Sequence, residues 1–161
     1  MKKPNTFQKI LHRFVILKPV TTFFAPRIHD ADRKLLGLTN GRHSFAGILG
    51  WPVIGITTIG AKTHTPRTLP LIGLIDGDQI ALVASSFGRE QNPAWYYNLK
   101  EHPECDVVFN GRTGKYIARE VEGEEYDRYW QLALSYYAGY ETYKERASHR
   151  HIPVMLLEPK K

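Results

Sequence analysis

The pattern of apolar and polar positions divides the chain into a short helical lead-in and a longer series of strands and helices. In residues 1–34, apolar side chains recur at spacings of three and four, as on one face of an amphipathic helix. They are Phe7, Ile10, Leu11, Phe14 and Leu17. From residue 52 onward, short β-rich runs alternate with turn residues and with two longer helical stretches.

The β-rich runs are joined in pairs by turn sequences. An Asp-Gly-Asp turn at 76–78 and an Asn-Gly turn at 110–111 each separate two such runs, which is typical of hairpins. The predicted strands span residues 52–58, 68–75, 79–85, 105–109, 115–123 and 152–159. The pattern therefore predicts a mainly antiparallel sheet.

Two helices are predicted between these hairpins. The first is expected to use Asn92 as its cap and Pro93 as its first helical residue, and to end before Pro103. The second is expected to run from 123 to 147, with Gly139 as a weak point. Strands in hairpins with helices inserted between them indicate an α+β fold, and five or six such strands can curl into a small barrel.

Composition fits one soluble domain. The chain has 161 residues, 42% of them hydrophobic and 24% charged, which is enough for a single core. The one cysteine, Cys105, excludes an internal disulfide framework and suits a reducing compartment, so a cytoplasmic location is expected. We interpret Cys105 as a small buried residue of a strand.

The net charge of +6 is concentrated at the start of the chain. Residues 1–34 contain eight Lys or Arg and two Asp, so 8 − 2 = +6, and residues 35–161 balance. Two alternatives remain for the segment 1–34: a helix that rests on an anionic membrane surface, or one that packs on its own domain. It resembles neither a secretory signal nor a membrane span. Nucleic-acid binding is disfavoured because the remaining charges balance.

Several familiar sites are absent from the sequence. There is no GxGxxG or GxxxxGK[ST] phosphate loop and no GxSxG nucleophile motif. His149 and His151 have strand spacing but no third ligand nearby, so no metal site is expected.

A polar interruption at residues 59–71 is the strongest chemical signal. Lys62, His64 and Arg67 stand among several threonines in the sequence IGAKTHTPRTLPL. A mobile ammonium, a planar guanidinium and hydroxyl donors suit a phosphate or carboxylate group. A solvated basic turn is the alternative.

Three motifs in order extend this signal over most of the chain. They are TTIGAKTHTPRTLPL, VASSFGREQNPAWYYNLKEHP and YYAGYETYKERASHRHIPVMLLEP. From about Pro52 to Pro159 the chain resembles the deazaflavin (coenzyme F-420)-dependent nitroreductase and quinone reductase family. The resemblance implies a split, flavin-reductase-like β-barrel of six mainly antiparallel strands with flanking helices, over residues 35–161. It also implies hydride transfer from reduced coenzyme F-420, favoured over FMN, to a quinone or nitro acceptor.

The resemblance also implies roles for individual residues. The turn and the strand after it would hold the cofactor, its anionic groups on the cationic residues and its ring system farther along. A small-residue strand end and a helix start would flank the deazaflavin, and three late tyrosines would line the substrate side together with Ser85. The implied cofactor contacts are Ala61, Lys62, Thr63, Arg67, Thr68, Leu69, Pro70, Leu71, Ile72, Val83, Ala84, Ser85, Ser86, Ala94, Trp95, Tyr96, Tyr97, Asn98 and Tyr140; the implied catalytic residues are Ser85, Tyr137, Tyr140 and Tyr143.

This chain departs from the family pattern at four positions. Ala61 replaces a second basic residue, Ile72 replaces a tyrosine found in some nitroreductases, and His64 and Phe87 each replace a glycine. A different function on the same barrel therefore remains as an alternative, namely noncatalytic binding of a lipid, a fatty acid or a flavin-like ligand. A homodimer and peripheral contact with an anionic membrane are the expected associations. For each late tyrosine, plain packing of an aromatic stripe is the alternative to a partly wet pocket.

Overall fold

The fold is known from a computed structural model that describes residues 50–161, together with residues 35, 38, 39, 44 and 47. The basic segment 1–34, with its predicted amphipathic helix and its expected membrane contact, lies outside the described residues. In the described part, no helix is long and apolar enough to cross a membrane.

Seven strands form one antiparallel sheet. They are β1 (Val53–Ile59), β2 (Pro66–Ile72), β3 (Leu74–Asp76), β4 (Gln79–Val83), β5 (Glu104–Phe109), β6 (Arg112–Glu120) and β7 (Val154–Pro159). The sheet order is β2-β1-β5-β6-β7-β4-β3. The predicted hairpins are confirmed, since β3 pairs with β4 and β5 with β6.

The strands at the two edges of the sheet, β2 and β3, follow each other in the sequence and are separated by Gly73 alone. The single predicted strand over 68–75 is therefore wrong as a straight element: it is divided at Gly73 into β2 and β3, which lie at opposite edges. A Cβ atom at Gly73 would stand 2.8 Å from Ile80 Cγ2 and 3.0 Å from Ile54 Cγ2. Counted as one bent strand, β2 and β3 close a split β-barrel of six strands, as expected.

Side chains alternate between the two faces of the sheet, and each face has its own core. The barrel interior includes Ile54, Ile56, Leu82 and Met155, and it also buries Cys105, at 6% exposure, as predicted. The outer face is covered by an aromatic cluster that includes all three late tyrosines.

Three helices lie against this sheet: α1 (Ala94–Glu101), α2 (Gly123–Tyr136) and α3 (Gly139–Arg146). The expected Asn92 cap is wrong, because Pro93 precedes α1 in an extended conformation without a side-chain cap. The expected continuous helix over 123–147 is also wrong, because it breaks at 137–138. Gly139 allows the break: the ring of Tyr137 occupies the place that a Cβ atom at Gly139 would need.

Candidate functional site

The turn between β1 and β2 is a closed loop that presents its side chains to solvent. The backbone N–H of Gly60 donates to the Thr65 carbonyl at 2.9 Å, and that of His64 donates to the Gly60 carbonyl at 2.8 Å. The hydroxyls of Thr63 and Thr65 lie 2.9 Å apart. His64 has a φ of 53°, in the left-handed region that favours glycine.

The turn and the start of β2 carry two cations, Lys62 and Arg67, and both are exposed. Arg67 Nε lies 3.5 Å from the position of a Cβ atom at Gly60, so the exposed guanidinium passes beside the turn. A larger residue at Gly60 would also collide with the Thr63 hydroxyl. The arrangement suits an anionic group.

Asn98 of α1 anchors the turn to the barrel. Its Nδ2 donates to Thr58 Oγ1 at 3.0 Å, and its Oδ1 accepts from the Ala61 N–H at 3.0 Å. Asn98 is 7% exposed and Thr58 is fully buried. Both ends of the amide are therefore used within the protein, to connect α1, β1 and the turn.

The other predicted residues of α1 divide between the core and the surface. Trp95 is buried in the barrel interior. Tyr96 donates from its hydroxyl to Glu120 Oε2 at 3.0 Å, and burial together with this bond raises the pKa of Tyr96 to about 12. Ala94 and Tyr97 are exposed. Only part of this helix start is thus available to a ligand.

The predicted contacts on β2 alternate in direction. Leu69 and Leu71 pack against the barrel interior, whereas Ile72 packs against the aromatic cluster outside it. Thr68 is exposed, and its hydroxyl lies 2.8 Å from that of Thr57 on β1. The buried Pro70 lies on the same side of the strand as Thr68 and Ile72.

After β4 the chain enters a strained segment. Val83 and Ala84 are buried, and the segment Ser85–Arg89 follows them. Ser86 and Phe87 have φ values of 48° and 58°, both in the left-handed region. Such backbone persists only where the surroundings hold it, and it is concentrated at functional sites.

The strained segment lies against α3. The rings of Phe87 and Tyr143 meet edge to face, with their centroids 5.7 Å apart. A Cβ atom at Gly88 would stand 2.9 Å from the Tyr143 carbonyl oxygen. The segment therefore connects the strand end to the helix that carries two of the predicted catalytic tyrosines.

Arg150 fixes the same segment from the other side. Its guanidinium donates to the carbonyl of Ser85 at 2.9 Å, to the carbonyl of Arg89 at 2.9 Å and to Asn92 Oδ1. It also donates to the carbonyl of His151 at 3.1 Å. No local sequence pattern marks Arg150, and only its long-range hydrogen bonds reveal its contact with this segment.

The three late tyrosines meet in the aromatic cluster. Tyr137, Tyr140 and Tyr143 are 3%, 5% and 3% exposed. The hydroxyls of Tyr137 and Tyr143 lie 3.0 Å apart, whereas that of Tyr140 makes no hydrogen bond within the described part of the chain. Burial raises the pKa of all three, so each hydroxyl stays protonated at neutral pH.

The structure thus brings the predicted residues into two groups. The turn, β2 and α1 are connected through Asn98, and the segment after β4 is connected to the tyrosines through the contacts of Phe87 and Gly88. His149 contacts the Glu90 carbonyl and His151 lies against Tyr126. No cluster of three metal-ligating side chains occurs among the described residues.

Comparisons with known proteins show the family to which this chain belongs. The family profile described as F420H(2)-dependent quinone reductase matches residues 27–159. An F420H(2)-dependent quinone reductase of Mycobacterium tuberculosis is 37% identical over 136 residues, which cover 81% of this chain and 87% of that protein.

Solved structures give the same result. The structure of an F420-H2 dependent reductase, FDR-A, superposes with a TM-score of 0.62 at 36% identity and covers 66% of this chain and 94% of that one. A structure described as a domain-swapped dimer matches with the same score and identity and covers 80% of that chain. The protein belongs to the F420H(2)-dependent quinone reductase family, and it is an oxidoreductase whose cofactor is coenzyme F420 and whose acceptor is a quinone.

Proposed function

We propose that the cationic turn holds the anionic part of coenzyme F420, with Lys62 and Arg67 as the charged contacts and Thr63 as a hydroxyl donor. The observation that carries this assignment is the position of Arg67 Nε beside Gly60, in a turn that also carries exposed Lys62. These groups fit an anion, because two cationic side chains and a hydroxyl belong to one exposed turn, in which a larger residue at Gly60 would collide with the Thr63 hydroxyl.

The remaining cofactor contacts follow from the same placement. Thr68, Pro70 and Ile72 share one side of β2, and they support the cofactor beyond the turn. Ser85 and Ser86 border it with backbone and hydroxyl groups. Reduced coenzyme F420 supplies the hydride when it is bound.

We assign the acceptor side to the tyrosines and Ser85. A quinone oxygen gains negative charge as it is reduced, and a fixed hydroxyl donor stabilises that charge. Tyr140 is the strongest candidate, because its hydroxyl makes no hydrogen bond within the described residues and burial keeps it protonated. Tyr137 and Tyr143 hold each other in place through their hydroxyl contact.

The assignment of the turn is tested with Arg67→Ala. We expect the dissociation constant of the deazaflavin to rise at least tenfold, as for the loss of a charged hydrogen bond of about 1.5–3 kcal/mol. Arg112→Ala is the matched control, since Arg112 is an exposed arginine at the start of β6. Equal affinities for the two variants would overturn the assignment. Oxidation of reduced deazaflavin by menadione, followed spectroscopically, separates a reductase from a noncatalytic lipid binder.

Two associations complete the proposal. A homodimer is supported by the match to a structure described as a domain-swapped dimer, and light scattering measures it. Contact with an anionic membrane is supported only by the eight basic residues within 1–34. Vesicle sedimentation of the full chain, with and without salt, tests this contact.

A further inference from the structure

We infer that Arg150 is a positioning residue for the reaction. It holds the strained segment Ser85–Arg89 in the conformation that places Ser85 and Ser86 at the cofactor. This inference rests on the proposed function. Arg150 itself lies at the start of the chain that leads into β7, far in sequence from the residues it binds.

The hydrogen bonds of Arg150 span the segment. One guanidinium reaches both ends of the segment, with 2.9 Å bonds to the carbonyls of Ser85 and Arg89 and a further bond to the Asn92 side chain. Only the planar fork of arginine presents donors in these several directions from one side chain, whereas a lysine ammonium acts as a point charge.

The backbone of the segment is strained. Ser86 and Phe87, both non-glycine, have left-handed φ values, which are unfavourable for residues that carry a Cβ atom. Local bonds alone, from the N–H groups of Gly88 and Arg89 back to Ser85 and Ser86, form one turn of 3-10 helix. The strained conformation therefore needs support from outside the segment.

The segment is supported from two sides. On one side the segment touches α3, through Phe87 against Tyr143 and through the close approach of Gly88. On the other side it is bound by Arg150. Because Arg150 itself precedes β7, an interior strand of the sheet, its bonds join the segment to the chain that leads into that strand.

The consequence for the reaction is positional. Hydride transfer depends on the alignment of donor and acceptor, and a misplacement of about 1 Å costs up to about a hundredfold in rate. Loss of the Arg150 contacts leaves the Ser85 carbonyl with only the local bond from the N–H of Gly88, so the segment loses one of its outside supports.

The test compares Arg150→Met and Arg150→Lys with Arg89→Met. Arg89 is an exposed arginine of the same segment, and its backbone carbonyl, not its side chain, is what Arg150 binds. We expect both Arg150 variants to lose ten- to a hundredfold in kcat/KM for menadione reduction, with a raised deazaflavin KM and little change in the menadione KM. Arg89→Met should keep the activity of the unmodified protein.

Hydrogen–deuterium exchange of the same variants gives a second readout that does not need the cofactor. We expect faster exchange of amides in residues 85–92 for the Arg150 variants, with exchange in β5 and β6 unchanged. Faster exchange together with unchanged kinetics would overturn the positioning role, and so would full activity of Arg150→Lys. If exchange in residues 85–92 is unchanged in the Arg150 variants, the inference that the Arg150 contacts support the segment is wrong. If the unmodified protein does not oxidise reduced deazaflavin, the proposed function fails, while the exchange result still decides whether Arg150 supports the segment.

Discussion

The Asn98 side chain is expected to contribute more to the free energy of unfolding than its two hydrogen bonds alone, because one of its partners, the Thr58 hydroxyl, is buried away from water. Asn98→Leu removes both bonds and leaves the N–H of Ala61 and the hydroxyl of Thr58 without them. Ala61 is half-buried, so water can reach its N–H, but Thr58 is 0% exposed. A buried polar group left without a partner costs about 1–3 kcal/mol, and each lost bond contributes about 1 kcal/mol.

We therefore expect Asn98→Leu to lower the free energy of unfolding by about 2–4 kcal/mol. Thr58→Val alone should cost about 1–3 kcal/mol, because it leaves Asn98 Nδ2 unsatisfied in the core. In the Asn98→Leu background the same Thr58→Val change should cost nearly nothing, since it removes a hydroxyl that has already lost its partner. Urea denaturation of the four proteins measures the coupling, expected at about 1–3 kcal/mol.

The two single variants should also differ in function. Asn98→Leu releases the turn at Ala61 and should weaken deazaflavin binding, whereas Thr58→Val keeps the Ala61 contact and should affect binding much less. A coupling energy below about 0.5 kcal/mol would refute the argument from buried polar groups. Equal loss of deazaflavin affinity in both variants would refute the positioning of the turn by Asn98.

Two further predictions concern the barrel corner and the tyrosines. Gly73→Ala should destabilise the fold by about 1–3 kcal/mol, because the new Cβ atom would overpack against Ile80. Gly55→Ala is the control and should show little steric cost, because its Cβ atom would have no neighbour nearer than 3.9 Å. The thermal midpoints of the two variants measure the difference. Because burial raises the pKa of Tyr140 in the folded state, its contribution to stability should be complete below about pH 10 and fall as the pH rises further. Tyr140→Phe should therefore flatten the expected decline of the free energy of unfolding above about pH 10, as measured by denaturation, and an unchanged slope would contradict the burial argument.

Much of the local structure could be predicted from the sequence. Alternation and turn residues indicated both hairpins, because a strand with one buried face repeats every two residues. The replacement of family glycines by His64 and Phe87 marked two positions of unusual backbone, and both residues have left-handed φ values in the structure. The grouping of cations and hydroxyls predicts an anion site at the turn, and this site stays a prediction.

Other features depend on where distant parts of the chain meet. The helical stretch over 123–147 breaks at 137–138, where the ring of Tyr137 packs edge to face on Trp51, which lies far away in the sequence. Asn92 offered a helix cap by sequence, but its side chain accepts from Arg150 instead. In both cases a tertiary contact outweighed a local preference.

The hairpins, the helical stretches and the cationic composition of the turn could be predicted from the sequence, because they depend on neighbours within a few residues. How the candidate site is held together depends on contacts between distant parts of the chain. Asn98 and Ala61 are 37 positions apart, and Arg150 and Ser85 are 65 apart. Likewise, Gly73 is a barrel corner only because β2 and β3 pair at opposite edges of the sheet. No local pattern encodes these distances, because they are set by how the whole sheet closes.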